Sequence, residues 1–164
     1  MIRIIGAAAA GLGGGLAIAI LSMLSDLLAI PLLLAPFGAS CVLVFGVPKS
    51  PFVKFRNIFG GYMISAAMGL LAVTLLGPGV AGAAVGVALA ISAMMLTDTI
   101  HPPAGAVPIV AALTSPGLSF LAAPVGAGAL LIVAMGVVFR SAPSWPIFHK
   151  IRQSAVPDRP GAPR

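Results

Sequence analysis

Long apolar runs alternate with short polar or Pro/Gly-rich breaks along nearly the whole chain. The runs lie at about Ile4–Met23, Leu27–Val47, Ile58–Leu76, Val80–Leu96 and Phe120–Phe139. Each approaches the ~17–25 residues that a helix needs to cross hydrocarbon. A shorter run, Ala104–Leu113, follows a histidine and two prolines. The pattern predicts an all-α membrane protein with about six membrane elements, four to five of them full helices and the rest broken or half helices. Arg3 ahead of the first run has the look of a signal peptide, but more apolar spans follow it directly, so the first run is expected to be a retained helix. From Ser141 the sequence turns polar and proline-rich. This predicts a single transmembrane domain over 1–140 and a cytoplasmic tail over 141–164, with Trp145 as an interfacial anchor.

Composition removes the soluble alternatives. The 164 residues are 60% hydrophobic and only 7% charged, with a mean hydropathy of +1.16, whereas soluble domains carry about a quarter charged residues. Cys41 is the single cysteine, so there is no intramolecular disulfide and no thiolate metal cluster. No nucleophile–base pair, phosphate loop or carboxylate dyad stands out, so neither an enzyme nor a cofactor is expected. A net charge of +6 points to nucleic acid in a soluble protein, but here it has a topological meaning and no nucleic-acid partner is expected.

The nine basic residues are Arg3, Lys49, Lys54, Arg56, Arg140, Lys150, Arg152, Arg159 and Arg164. They occupy the N-terminus, the Pro48–Asn57 connection and the C-terminal tail. If they mark the cytoplasmic side, both termini and that connection are inside, in the inner (plasma) membrane of a bacterium. The chain must then cross an even number of times from the connection to the tail, so the short run after the histidine crosses too.

The polar interruption reads DTIHPPAGAVPIV, Asp98 to Val110. Polar groups in hydrocarbon cost several kcal/mol each unless satisfied, so this segment lines something or lies at a surface. Placing APFGASCVLV (Ala35–Val44) over PPAGAVPIVA (Pro102–Ala111) aligns Pro36 with Pro103, Gly38 with Gly105 and Ala39 with Ala106, at an offset of 67 residues. Three crossings per half make the halves 1–77 and 78–140 candidate inverted repeats. Paired Pro/Gly-interrupted segments in two such halves point to a transporter site. Proline breaks a helix and is tolerated in the first turn of the next. The amides of Gly38, Ala39, Ser40, Gly105 and Ala106 are then candidate donors at positive helix ends, with the Ser40 hydroxyl and the His101 ring beside them. Opposed ends near mid-membrane would hold an anion without a formal positive charge.

The segments TIHPPAGAV (Thr99–Val107), PFGAS (Pro36–Ser40) and the set Pro48, Ser50, Pro51, Arg56, Asn57, Gly60 and Gly61 resemble the HPP family. These are small integral membrane proteins named for the His-Pro-Pro motif, here His101, Pro102 and Pro103. The family is usually described with four membrane helices, and its plant plastid and cyanobacterial members are associated with nitrite transport. The resemblance implies a transporter or channel for a small monovalent anion, nitrite preferred. The expected substrate site comprises Pro36, Gly38, Ala39, Ser40, Asn57, Thr99, His101, Pro102, Pro103, Gly105 and Ala106, with Arg56 in a vestibule.

Plainer readings stand beside these. His101 caps a helix or bonds a backbone carbonyl. Asp98 is interfacial or pairs with His101, Thr97 or Thr99, and Arg56 follows the charge rule. Gly11, Gly13, Gly14 and Gly15, with Gly82 and Gly86, serve helix packing. Two other functions stay open: passage of a cation or neutral solute lined by Asp98 and His101, and a structural or regulatory membrane subunit with no pore. The expected partners are the lipid bilayer, a small inorganic anion and further copies of the chain, a dimer before a trimer. The charge rule has a direct check: cysteine labels at positions 50 and 154 should report one face of the membrane and labels at 79 and 119 the other. Labels at 50 and 154 reacting from opposite sides would break the six-element count.

Overall fold

The computed structural model describes residues 2–141; the tail from residue 142 onward and its Trp145 lie outside the described residues. Six helices carry the described chain: α1 (Ile2–Leu28), α2 (Ala35–Gly46), α3 (Phe55–Leu76), α4 (Val80–Leu96), α5 (Pro102–Thr114) and α6 (Leu121–Ser141). Of these, α1, α3 and α6 are long and apolar enough to cross a membrane, while α2, α4 and α5 are shorter apolar helices. Among the described residues the regular structure is all-helical, as the apolar pattern predicts.

The run Leu27–Val47 differs from the expectation of one broken crossing. α1 continues to Leu28, and the backbone then leaves helical geometry until Ala35. Ala29 takes a left-handed φ of 51° and Pro31 supplies no N–H, so neither residue can extend the helix. The Ser25 hydroxyl donates to Ile30 O (2.8 Å) and accepts from Leu32 N (3.1 Å). A side chain thus replaces the backbone bonds that the turn gives up. The other helices stop by equally local means. α3 ends at Gly77, with φ of 79° and its N–H on Val73 O at 2.9 Å. α5 ends at left-handed Ser115, just before Pro116.

Small residues set the packing. A Cβ added at Gly69 of α3 would lie 2.7 Å from Pro108 Cα, and one at Gly86 of α4 would lie 2.9 Å from Pro108 Cβ. α5 is therefore wedged between α3 and α4, with Pro108 in the crevice. Gly128 of α6 likewise seats the Phe37 ring, and Gly136 seats Val44. Such glycine faces replace the hydrophobic drive that is missing between helices in lipid. Gly13, Gly14, Gly82 and Gly86 have this packing role, whereas Gly11 and Gly15 face open space. Leucines and valines such as Leu12, Leu75, Leu113 and Val138 point outward, a surface suited to lipid chains.

The direction of α5 bears on the site. Its start, His101, lies against Gly61 near the beginning of α3, and near its end Ala112 O accepts from Gly79 N (3.2 Å) at the beginning of α4. The segment thus runs from one end of the antiparallel α3–α4 pair to the other instead of turning back. Lys54 and Arg56 lie at the His101 end.

The crevice gives opposite expectations for two glycines. Gly69→Ala forces the new methyl onto the Pro108 backbone and should destabilise by about 1–3 kcal/mol. Gly11→Ala meets nothing within 4 Å and should be neutral or gain up to ~1 kcal/mol from helix propensity. Unfolding midpoints in mixed detergent micelles check the pair.

Candidate functional site

Four parts of the chain bring polar groups to one buried place. α2 supplies Ser40, α3 supplies Asn57 and Tyr62, the α4–α5 link supplies Thr99 and His101, and the short turn Pro51–Val53 supplies the Phe52 carbonyl. The link arrives there because α4 stops at Leu96 and Asp98 turns left-handed, with φ of 52°. Thr99 N bonds back to Met94 O at 2.9 Å, and His101 is extended ahead of its two prolines, as a residue before proline prefers. Gly61 makes the approach possible: a Cβ there would sit 2.8 Å from Thr99 O and 2.9 Å from His101 Cβ.

His101 is fully buried, and both ring nitrogens are engaged. Nδ1 lies 2.9 Å from Phe52 O, Nε2 lies 2.8 Å from Ser40 Oγ, and Ser40 Oγ lies 2.7 Å from Tyr62 Oη. A carbonyl oxygen only accepts, so Nδ1 carries the proton. In the neutral ring Nε2 is then an acceptor, which makes Ser40 the donor to it and Tyr62 the donor to Ser40. The chain has one direction: Tyr62 O–H to Ser40, Ser40 O–H to Nε2, and Nδ1–H to Phe52. The Tyr62 ring lies 5.3 Å from the imidazole and meets Phe37 edge-on at 5.0 Å. No buried side-chain nitrogen or oxygen among the described residues lacks a partner. The plain reading of His101 as a ligand of a backbone carbonyl is therefore part of the arrangement.

The expected site residues divide into two groups. Ser40, Asn57, Thr99 and His101 come together. Asn57 Nδ2 donates to Ile100 O at 2.9 Å, and the Thr99 hydroxyl pairs with that of Thr97 at 2.8 Å. Pro36 and Pro103 are buried and shape the helix starts, while Pro102 is exposed and Gly105 and Ala106 are half-buried. Gly38 and Ala39 face outward from α2, away from the histidine side.

The idea of unpaired amides at helix ends needs correction. α2 begins at Ala35, so Gly38, Ala39 and Ser40 are its fourth to sixth residues, past the amides that a helix start leaves free. Phe37 N is already on Leu34 O at 2.9 Å. α5 begins with two prolines, which have no N–H, and Ala104 N is on His101 O at 2.9 Å. Side chains, not helix-end amides, are the donors gathered here.

Of the alternatives for Asp98, the pairings are not what the structure shows, and the side chain is exposed. It pairs with neither His101 nor a threonine. Arg56 Nη2 donates to Asp98 O at 2.6 Å and lies 3.5 Å from Oδ2, with side chains 63% and 85% exposed. The two charges offset each other at the surface and leave the buried cluster without a formal charge.

The transmembrane region of the HPP family matches residues 1–146, across all six helices. The chain belongs to the HPP family. Two transmembrane proteins of Dictyostelium discoideum are similar to it. One is 33% identical over 127 residues, covering 71% of this chain and 41% of that protein. The other is 32% identical over 127 residues, covering 71% of this chain and 45% of its own. The chain thus spans less than half the length of these relatives. No solved structure matches it. In this HPP protein the name-giving triplet starts α5 and sets the histidine into the polar cluster.

Two members of the cluster escape a reading of the sequence. Phe52 contributes a main-chain oxygen, which no side-chain pattern reveals. Tyr62 had a signal: it is the sole tyrosine, inside an apolar run where a phenolic hydroxyl needs a partner. The direction of the chain ranks two substitutions. Ser40→Ala strands Tyr62 Oη and Nε2 together and should cost about 1–3 kcal/mol. Tyr62→Phe leaves the Ser40–His101 bond intact and should cost less, about 0.5–1.5 kcal/mol. Thermal unfolding of the purified variants measures the order.

Proposed function

We propose that this HPP protein carries a small monovalent anion across the membrane, with nitrite the first candidate from the family resemblance. The observation that carries the reading is the buried cluster of neutral donors, Ser40, Tyr62, His101 and Asn57, where two short proline-started helices meet α3. Hydroxyls and an imidazole surrounded by apolar walls suit an anion of low charge, because they supply hydrogen bonds without a resident counter-charge to be displaced. The outward turn of Asp98 to Arg56 weighs against a cation path lined by Asp98 and His101. In both α1–α2–α3 and α4–α5–α6 the middle helix is short and carries proline in its first turn, with Ala35 and Pro102 67 residues apart. We read the halves as inverted copies that move against each other, and the closed cluster as the occluded arrangement between them. Assembly into a homo-oligomer, a dimer before a trimer, belongs to the same reading.

A second reading has one observation in its favour. Every buried polar side-chain atom among the described residues is satisfied, which also suits a sealed membrane scaffold with no path of its own. Flux through proteoliposomes separates the two readings. With membrane potential clamped and empty vesicles subtracted, the transporter should show protein-dependent uptake of nitrite or a related anion. His101→Gln keeps hydrogen-bonding capacity but cannot take up a proton, so it should retain part of the flux and lose its pH dependence. His101→Ala, which strands Ser40 and the Phe52 carbonyl, should lower flux roughly tenfold or more. Absence of uptake for every anion in a panel of nitrite, nitrate, formate and chloride supports the scaffold.

A further inference from the structure

We propose that Tyr62, Ser40 and His101 form a hydrogen-bonded chain whose direction reverses on protonation of His101, so that one proton is bound with each anion. The inference rests on the transport reading and adds its coupling to protons. In the neutral state every link is determined, because the Phe52 carbonyl fixes Nδ1 as a donor and leaves Nε2 as the acceptor for Ser40. A proton taken from water can add only at Nε2. The ring then donates at both nitrogens, and Ser40 Oγ must accept from Nε2. The Ser40 hydroxyl hydrogen swings to Tyr62 Oη, its other neighbour at 2.7 Å. With the Ser40 hydrogen on Tyr62 Oη, the Tyr62 O–H turns away from Ser40. Among the described residues Ser40 is its one hydrogen-bond partner, so protonation releases a buried donor with nowhere to go.

An anion supplies what is missing. An oxygen of nitrite or nitrate accepts from Tyr62 O–H, and its charge offsets that of the imidazolium. Burying either charge alone costs far more than burying the two as a pair. The binding of proton and anion is therefore linked, and each raises the affinity for the other by the same factor. No bond other than N–H and O–H···O contacts forms or breaks: the proton ends on Nε2 and the anion on Tyr62 Oη.

The surroundings leave this role to His101. The titratable or charged groups on the elements around the ring are Cys41 of α2, Tyr62 and Arg56 of α3, Asp98 in the α4–α5 link, and Lys49 and Lys54 beside the Pro51–Val53 turn. Arg56 and Asp98 neutralise each other at an exposed position, Lys49 and Lys54 are exposed, and Cys41 has no hydrogen bond to the ring. α4 and α5 bring only neutral side chains, Met94 among them.

Two measurements decide it. Nitrogen-15 NMR of the His149→Gln protein, in which His101 is the sole histidine, should show the Nδ1–H tautomer at neutral pH. The Nε2–H tautomer overturns the directed chain whatever the flux shows. In vesicles with clamped potential and an internal pH indicator, protein-dependent uptake of nitrite or nitrate should acidify the lumen by one proton per anion and carry almost no net current. Tyr62→Phe, which keeps the Ser40–His101 bond, should slow that uptake roughly ten- to a hundredfold. Uptake that carries the full negative charge without acidification, or that is untouched by Tyr62→Phe, overturns the coupling and leaves the transport reading standing. No protein-dependent uptake of either anion overturns the transport reading itself, and the coupling with it.

Discussion

Backbone polar groups inside a lipid-facing bundle must be satisfied without water, and this fold depends on how two non-helical links meet that demand. Between α1 and α2 the Ser25 hydroxyl serves both a carbonyl and an amide. Between α4 and α5, Arg56 takes Asp98 O, Asn57 takes Ile100 O, and Ala104 N takes His101 O. Each interruption is tolerated because a neighbouring side chain or turn replaces the missing ladder. Where the links run, the helices around them must leave room, and the glycines of α3 and α6 do so.

The same constraint explains why the polar cluster lies beside the His-Pro-Pro triplet. Two consecutive prolines remove two donors from the start of α5, so that helix needs little capping and can begin directly after a fully buried histidine. This also removes the amides that a helix start offers to an anion. What remains polar there is carried by side chains from other helices, drawn from positions far apart in the chain: Ser40 reaches His101 across 61 residues and Phe52 across 49.

Much of the architecture was legible because hydropathy and proline placement act locally. The apolar runs matched α3, α4 and α6 closely. The break between α1 and α2 was harder to place. Leu27 to Leu34 is as apolar as a helix, and only Pro31 and the left-handed Ala29 separate it from one. Of the site, Ser40, Asn57, Thr99 and His101 were visible as polar residues in greasy segments. Gly38 and Ala39 were chosen by alignment with Gly105 and Ala106, but helix phase turns them outward, and a repeat pattern carries no phase information about a partner helix. The Arg56–Asp98 pair was hidden because it joins residues 42 positions apart.

The bond from His101 to Phe52 has a bearing on genetics. Its acceptor is a main-chain oxygen, so replacing the Phe52 side chain leaves the bond available, and a scan of single substitutions through the loop between α2 and α3 can pass over it in silence. The contact answers instead to the path of the backbone. Inserted or deleted residues in that loop, or a proline that redirects it, would be felt at a buried imidazole while the chemistry of every side chain in the cluster stays the same.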